Sequence, residues 1–127
     1  MKGRAISAGR ASGAALISPE PISFYGGVDP ATGVVIEKGH ALEGQCIKGR
    51  VLVFPSGKGS TVGSYVIYAL ARNGTAPAAM VNEETETIVA AGAILAGIPC
   101  VDRIDLAALR AGEMLEVDAD EGTVTRG

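Results

Sequence analysis

The sequence predicts an α/β fold, a βαβαβ succession with β-strands at both ends of the chain. One observation is the set of short apolar runs bounded by glycine or proline, at 50–54, 77–81 and 98–101. Another is the helical spacing of apolar residues in the two segments between them, about 60–73 and 84–96. The third is period-two alternation near both termini. Strand–helix–strand alternation of this kind builds parallel sheet, so a three-layered α/β centre is expected, surrounded by the β-strands from both ends of the chain.

In chain order, Lys2 to Ser7 and Ala14 to Ser18 alternate around a glycine-bounded turn, Gly9 to Gly13, and read as an opening hairpin. Pro19, Pro21, Gly26, Gly27, Pro30 and Gly33 then break up a stretch with room for two short strands, Ile22 to Tyr25 and Gly33 to Glu37. Asp29-Pro30-Ala31-Thr32-Gly33 reads as a turn, proline setting φ and glycine closing it. In the first long helix Val62, Tyr65, Val66, Ala69 and Leu70 are expected on the core face, with Asn73-Gly74 as its stop. Asn82 is expected to cap the second, whose Ile88, Ala91 and Leu95 face inward and which ends at Gly97 ahead of Pro99. Leu106 to Leu109 reads as a helical turn. Met114 to Val117 and Gly122 to Thr125 read as a closing hairpin.

Bulk properties narrow the function. The 127 residues are 47% hydrophobic, enough for one cored domain spanning 1–127, and no linker or internal repeat divides them. A net charge of -3, with two Phe, three Tyr and no Trp, leaves neither a basic stripe nor stacking platforms for nucleic acid. No leader-like apolar segment and no membrane-length apolar run occurs, so a cytoplasmic protein is expected. The two cysteines, Cys46 and Cys100, belong to no metal-binding spacing and read as buried free thiols.

The densest chemical signal is Pro55-Ser56-Gly57-Lys58-Gly59-Ser60-Thr61, which follows the strand Val51 to Phe54 and opens a helix. Closely spaced glycines let backbone N–H groups approach a ligand, and a helix N-terminus favours an anion. The run is not a nucleotide P-loop, since Gly57-Lys58 is followed by Gly59 and position 52 is Leu, and it is not a dinucleotide fingerprint, since Val62 replaces the third glycine. Ser60 suits the N-cap position, so local pattern alone fits a capped turn as well as an anion-binding loop. As a proton acceptor Ser60 would need its alkoxide stabilised, by the N–H groups of Gly59 to Val62, the helix dipole and Lys58. His40, the one histidine, reads as a solvated loop residue. Arg4, Arg10 and Arg50 read as surface charges, Glu83, Glu84 and Glu86 as complements to a helix dipole, and Asp102 to Asp105 as a charged loop.

Three separated segments carry a family resemblance. Pro21 to Gly33, Gly49 to Ser60 and Asn73 to Ala79 resemble, in order, the small subunit of the aconitase X family, and Gly57 to Val66 with Ile98 to Asp102 look most like its archaeal branch, the phosphomevalonate dehydratases. The resemblance implies an aconitase-like swivelling β/β/α domain, paired in a heterodimer with a large catalytic subunit that holds a [4Fe-4S] cluster. It implies dehydration of (R)-5-phosphomevalonate to trans-anhydromevalonate 5-phosphate in isoprenoid biosynthesis, with Ser60 as proton acceptor. Gly57, Lys58, Gly59 and Thr61 become candidates for the anion site, and Gly27, Asp29 and Thr32 join them from the first segment. Thr61 and Val62 replace the Ser-Arg of an aconitase-type loop, so the resemblance implies that the arginine comes from elsewhere, such as the partner. Two widely separated cysteines are too few for a cluster in this chain. Other readings are a related dehydratase, such as one for cis-3-hydroxyproline, and a non-catalytic phosphometabolite-binding or assembly module.

Overall fold

The computed structural model describes residues 1–127. Strands β1 (Arg4–Ser7), β2 (Arg10–Ile17), β3 (Val51–Phe54), β4 (Ala79–Asn82), β5 (Cys100–Asp102), β6 (Met114–Asp118) and β7 (Thr123–Arg126) form one sheet in the order β1-β5-β4-β3-β2-β6-β7. The predicted βαβαβ run is present, with β3, β4 and β5 parallel and joined through α2 (Gly63–Asn73) and α3 (Thr87–Ala96). β2 extends this parallel group, while β1, β6 and β7 add antiparallel neighbours. The sheet curls until its edges meet. Lys2 bridges Thr123, Gly3 N–H donates to Gly122 O at 2.7 Å, and Val124 N–H donates to Met1 O at 2.9 Å.

Alternation along β3 divides the core. Leu52 and Phe54 face α2 and α3 and pack with Ile67, Leu70, Val89 and Ala93, whereas Val51 and Val53 face the curled interior with Val81, Val101, Leu115 and Val124. All four β3 side chains are fully buried, which fixes the strand from which the glycine loop departs.

The closing hairpin, the turn at 29–33 and the helical turn at Leu106–Ala108 are where they were expected. The opening hairpin is not. β1 pairs with β5 and β2 with β3 and β6, and the link between them is tied to the β6–β7 turn by Ala119 N–H to Gly9 O at 2.8 Å. Alternation identifies strands but not their partners. The expected strand Ile22 to Tyr25 is a single bridge at Ile22 followed by the short, broken helical segment α1 (Phe24–Gly27), and 33–37 contributes only the isolated bridges of Val34 and Val35.

Both long helices start later and turn a different face inward. α2 buries Gly63, Ile67 and Leu70, leaving Val62 and Tyr65 exposed and Val66 and Ala69 half-buried. α3 buries Val89, Gly92 and Ala93, with Ala91 and Leu95 exposed and Ile88 half-buried. Apolar residues surround α3, so periodicity selects no face; the small residues win because α2 comes close, and a Cβ on Gly92 would lie 2.7 Å from Ile67 Cδ1.

Several polar residues read as surface groups are interior. Asn82 does not cap α3, which Glu86 does by accepting from Val89 N–H at 2.8 Å and Ile88 N–H at 3.0 Å. Asn82 is instead fully buried, and its side-chain amide donates to Phe54 O at 3.0 Å and Val81 O at 3.2 Å. Asp102 is also fully buried and is gripped by Arg4 through Nε at 3.0 Å and Nη2 at 2.7 Å, with Thr85 N–H at 2.9 Å. Burial alone pushes the Asp102 carboxyl up, but the Arg4 and Thr85 hydrogen bonds and the Arg4 and Arg103 charges outweigh it and hold it below its ordinary range. His40 is buried, its Nε2 at 3.0 Å from Pro21 O and its Nδ1 accepting from Leu42 N–H at 3.0 Å. Of the cysteines only Cys100 is buried; Cys46 is exposed.

Candidate functional site

The glycine loop leaves the carboxyl end of β3, an edge where parallel sheets place ligands. Its first half is rooted. Ile22 N–H donates to Ser56 O at 3.2 Å and Lys58 N–H donates to Ile22 O at 3.1 Å, so residues 56–58 run as a short added strand. Gly57 lies against the start of α3, where a Cβ would fall 2.4 Å from Val89 Cγ2 and 2.6 Å from Glu86 Oε1. Gly59 turns the loop outward at φ +94, and a Cβ there would come within 2.5 Å of Ser23 Oγ, so both conformation and space call for glycine.

Ser60 sits exposed at the tip. It is not the N-cap of α2, which begins at Gly63 behind an uncapped Val62. Ser60 Oγ accepts from Val62 N–H at 3.2 Å, and Ser60 O accepts from Gly63 N–H at 2.9 Å, so Ser60 opens a tight turn ahead of the helix. The backbone N–H groups of Gly59, Ser60 and Thr61 have no acceptor within the chain. Three consecutive unpaired donors beside the positive end of α2 favour negative charge there.

Beside the loop lies a cleft of about 350 Å³ lined by Ser23, Tyr25, Gly26, Gly27, Glu37, Lys58 and Gly59. Lys58 Nζ is 3.3 Å from Glu37 Oε2. Thus Gly57, Lys58, Gly59, Ser60 and Thr61 share one loop and Gly27 joins them across the cleft. Asp29 and Thr32 do not meet them. Their side chains bond to each other at 3.1 Å in a turn that Asn73 and Thr75 hold through Pro30 O, each at 2.8 Å. That places them at the far end of α2, roughly 15 Å from its start. Of the other cations, Arg10 pairs with Asp118 and Asp120, and Arg50 donates to Ala14 O and Ala15 O. Sequence reasoning missed Ser23, Tyr25, Gly26 and Glu37, which no local motif marks because the fold alone brings them to the loop.

The chain's own residues do not fit an iron–sulfur cluster. Clusters need several thiolates. Cys46 is exposed at the turn where its Sγ lies 3.4 Å from Thr32 O, and Cys100 is buried in β5. Burial pushes the Cys100 thiol up to about 12, against the thiolate a metal requires. No group of three or more His, Cys, Asp or Glu is placed to hold a metal ion. No helix is long and apolar enough to cross a membrane.

Known proteins match over nearly the whole chain. A family model described as the aconitase X swivel domain matches residues 1–126. A relative from Methanocella arvoryzae, named phosphomevalonate dehydratase small subunit, is 58% identical over 127 residues, covering 98% of this chain and 96% of its own. A protein of the same name from Thermococcus sibiricus is 57% identical over 124 residues, covering 98% and 95%. The crystal structure of Thermococcus kodakaraensis aconitase X in its holo form superposes with a TM-score of 0.97 at 53% identity, over 99% of this chain and 96% of that one.

Proposed function

Because the chain belongs to the aconitase X swivel-domain family, we propose that it is the small subunit of a heterodimeric phosphomevalonate dehydratase, a hydro-lyase that removes water from (R)-5-phosphomevalonate to give trans-anhydromevalonate 5-phosphate. The full-length likeness to proteins named as that small subunit supports the reading. All of residues 1–127 act as one swivel domain, and the large subunit completes the site. The family is one of iron–sulfur enzymes, and the cluster is assigned to the large subunit, since this chain's thiols do not fit one. An exposed free thiol, Cys46, suits the reducing cytoplasm.

The observation that carries the mechanistic part is Ser60, exposed on a rooted loop whose neighbouring N–H groups are unpaired. Ser60 Oγ, as the alkoxide, takes the proton from the carbon next to the substrate carboxylate. The C–H electron pair becomes the new double bond, and the hydroxyl leaves from the adjacent carbon and collects that proton, departing as water and restoring the alkoxide. A serine alkoxide is far too basic to persist in water at neutral pH, so its charge must be stabilised where it forms. The N–H groups of Gly59, Ser60 and Thr61 and the α2 dipole supply a preorganised positive environment, which needs no reorganisation during proton transfer. Gly57 and Gly59 hold that geometry by letting the loop lie against α3 and Ser23.

The test is dehydration by the assembled complex. The chain and its large subunit are purified together without oxygen, supplied with (R)-5-phosphomevalonate, and followed by mass spectrometry for loss of one water. Turnover that needs both subunits is expected; an intact, cluster-loaded complex with no turnover would refute the assignment.

A further inference from the structure

We propose that the cleft between Ser23–Gly27 and Lys58–Gly59 seats the phosphate group of the substrate, with Lys58 as its cation and Glu37 as the residue that positions Lys58. The inference rests on the function proposed above and adds which end of the substrate this chain holds.

The chemistry of the substrate fixes where each acidic end must lie. In 5-phosphomevalonate the carboxylate hangs on the carbon that loses its proton, so it sits beside Ser60 Oγ. The phosphate is at the other end of the carbon chain. Lys58 precedes Ser60 by two residues, at most about 7 Å along the backbone. The cleft opens on the Lys58 and Gly59 side of the loop, in reach of the remote end of a substrate whose carboxylate end is at Ser60.

Its lining has the chemistry of a phosphate seat. Lys58 is the only cation in the wall, and an ammonium, with three freely directed donors, suits a phosphate as a point charge. The backbone N–H of Gly26, in the wall opposite Lys58, has no acceptor within the chain. About 350 Å³ leaves room for the group and its ester arm. A phosphate entering here takes donors from both walls.

Glu37 explains how Lys58 is aimed. Glu37 is anchored by its own N–H to Gly27 O at 3.3 Å, and its carboxylate lies over Gly27, where a Cβ would be 3.2 Å from Oε1. The other oxygen takes Lys58 Nζ at 3.3 Å. A carboxylate in a phosphate seat repels the ligand unless a cation stands between them. Here one ammonium donor goes to Glu37 and the other two are left for the phosphate, so the pair trades some attraction for a fixed direction. Lys58 is about half exposed, and without Glu37 its four-carbon stem is free to swing to solvent.

The experiment uses the assembled heterodimer with wild-type chain, Lys58→Met, Glu37→Ala and Glu37→Asp. Turnover and calorimetric binding are measured for 5-phosphomevalonate and for mevalonate, which lacks the phosphate, with inorganic phosphate as a competing probe. Losing a charged hydrogen bond predicts that Lys58→Met weakens 5-phosphomevalonate binding and raises its KM roughly 10- to 150-fold, with mevalonate little changed and inhibition by inorganic phosphate lost. Glu37→Ala raises KM in the same selective way by a smaller factor, and Glu37→Asp recovers part of it. Lys58→Met with an unaltered preference for the phosphorylated substrate and unaltered phosphate inhibition would overturn the inference. If the complex binds 5-phosphomevalonate in a Lys58-dependent way yet dehydrates nothing, the cleft assignment stands and the proposed reaction falls.

Discussion

Ser60→Ala separates a catalytic serine from one that only shapes a turn, because the structure makes the two costs very different. The side chain is exposed and has one hydrogen bond in the chain, accepted from Val62 N–H at 3.2 Å. An exposed bond of that length is replaced by water at little cost, about 0.5 kcal/mol at the low end of the usual range. For a chain of 127 residues that lowers Tm by about 2–3 °C. A general base contributes roughly 10²- to 10⁴-fold to rate, or about 3–5 kcal/mol of barrier. The variant should therefore assemble normally, bind 5-phosphomevalonate with little change, and lose kcat by two to four powers of ten. Two readouts check it: steady-state dehydration by the assembled complex, and exchange of the substrate's carboxylate-adjacent proton with deuterated water, which should also vanish. A kcat within a few-fold of wild type in an intact complex would refute the role of Ser60. A large fall in Tm would instead show that the loop had collapsed.

Two further outcomes follow from buried groups. The exposed Cys46 should react rapidly with a thiol reagent in the folded chain, while Cys100, buried and with its thiol pushed up to about 12, should react only on unfolding; two fast thiols would contradict the packing of β5. Arg4→Met should give a stability loss that depends on pH. The folded Asp102 carboxyl lies below its ordinary 3.8, so the stability it carries is complete above that value and is lost as pH falls through the lower folded one. Without Arg4, burial raises the carboxyl and its charge becomes the liability, so the Tm gap to wild type should be widest near neutrality and should narrow toward pH 3. A gap constant across that range would refute the buried pairing.

The parts of this molecule written in short-range pattern were legible in the sequence. β3, the two long helices and the closing hairpin each announce themselves within a dozen residues, and the glycine loop carries its turn chemistry with it. What failed depended on neighbours remote in sequence. The partners of β1 are set by β5, and Arg4 beside Asp102 in that register was invisible to alternation. The buried stripe of α3 is set by how near α2 approaches, not by apolar content, which is high on every side. Lys58 was legible as a cation in a glycine loop, but Glu37 and Ser23, which direct it and the loop, come from a connection without regular structure. Ser60 lies in the loop ahead of α2 and not at the N-cap its sequence position suggested, since the helix begins three residues later.

The buried polar group that binds the loop's root to the rest of the sheet edge is Asn82. Its amide reaches across from β4 to Phe54 O, the last residue of β3 before the glycine loop, and its Oδ1 accepts from Thr85 Oγ1 at 2.9 Å. The ends of β3 and β4 and the connection into α3 are thereby joined through one fully buried side chain. Asn82→Leu, of similar size, removes those bonds and leaves the Thr85 hydroxyl only the weak contact with Cys100 Sγ at 3.8 Å. At about 1–3 kcal/mol for each stranded buried group, the loss should be about 3 kcal/mol, lowering Tm by roughly 10–15 °C. Adding Thr85→Val removes the stranded hydroxyl, so the double variant should recover part of that loss, and the cycle gives a coupling of about 1 kcal/mol. Because the same bond roots the loop bearing Ser60, kcat of the heterodimer should fall while the KM for 5-phosphomevalonate changes less. An Asn82→Leu chain that melts within 2–3 °C of wild type, by the same size-based scale, would show that the sheet edge is held by apolar packing and that the loop gets its rigidity elsewhere.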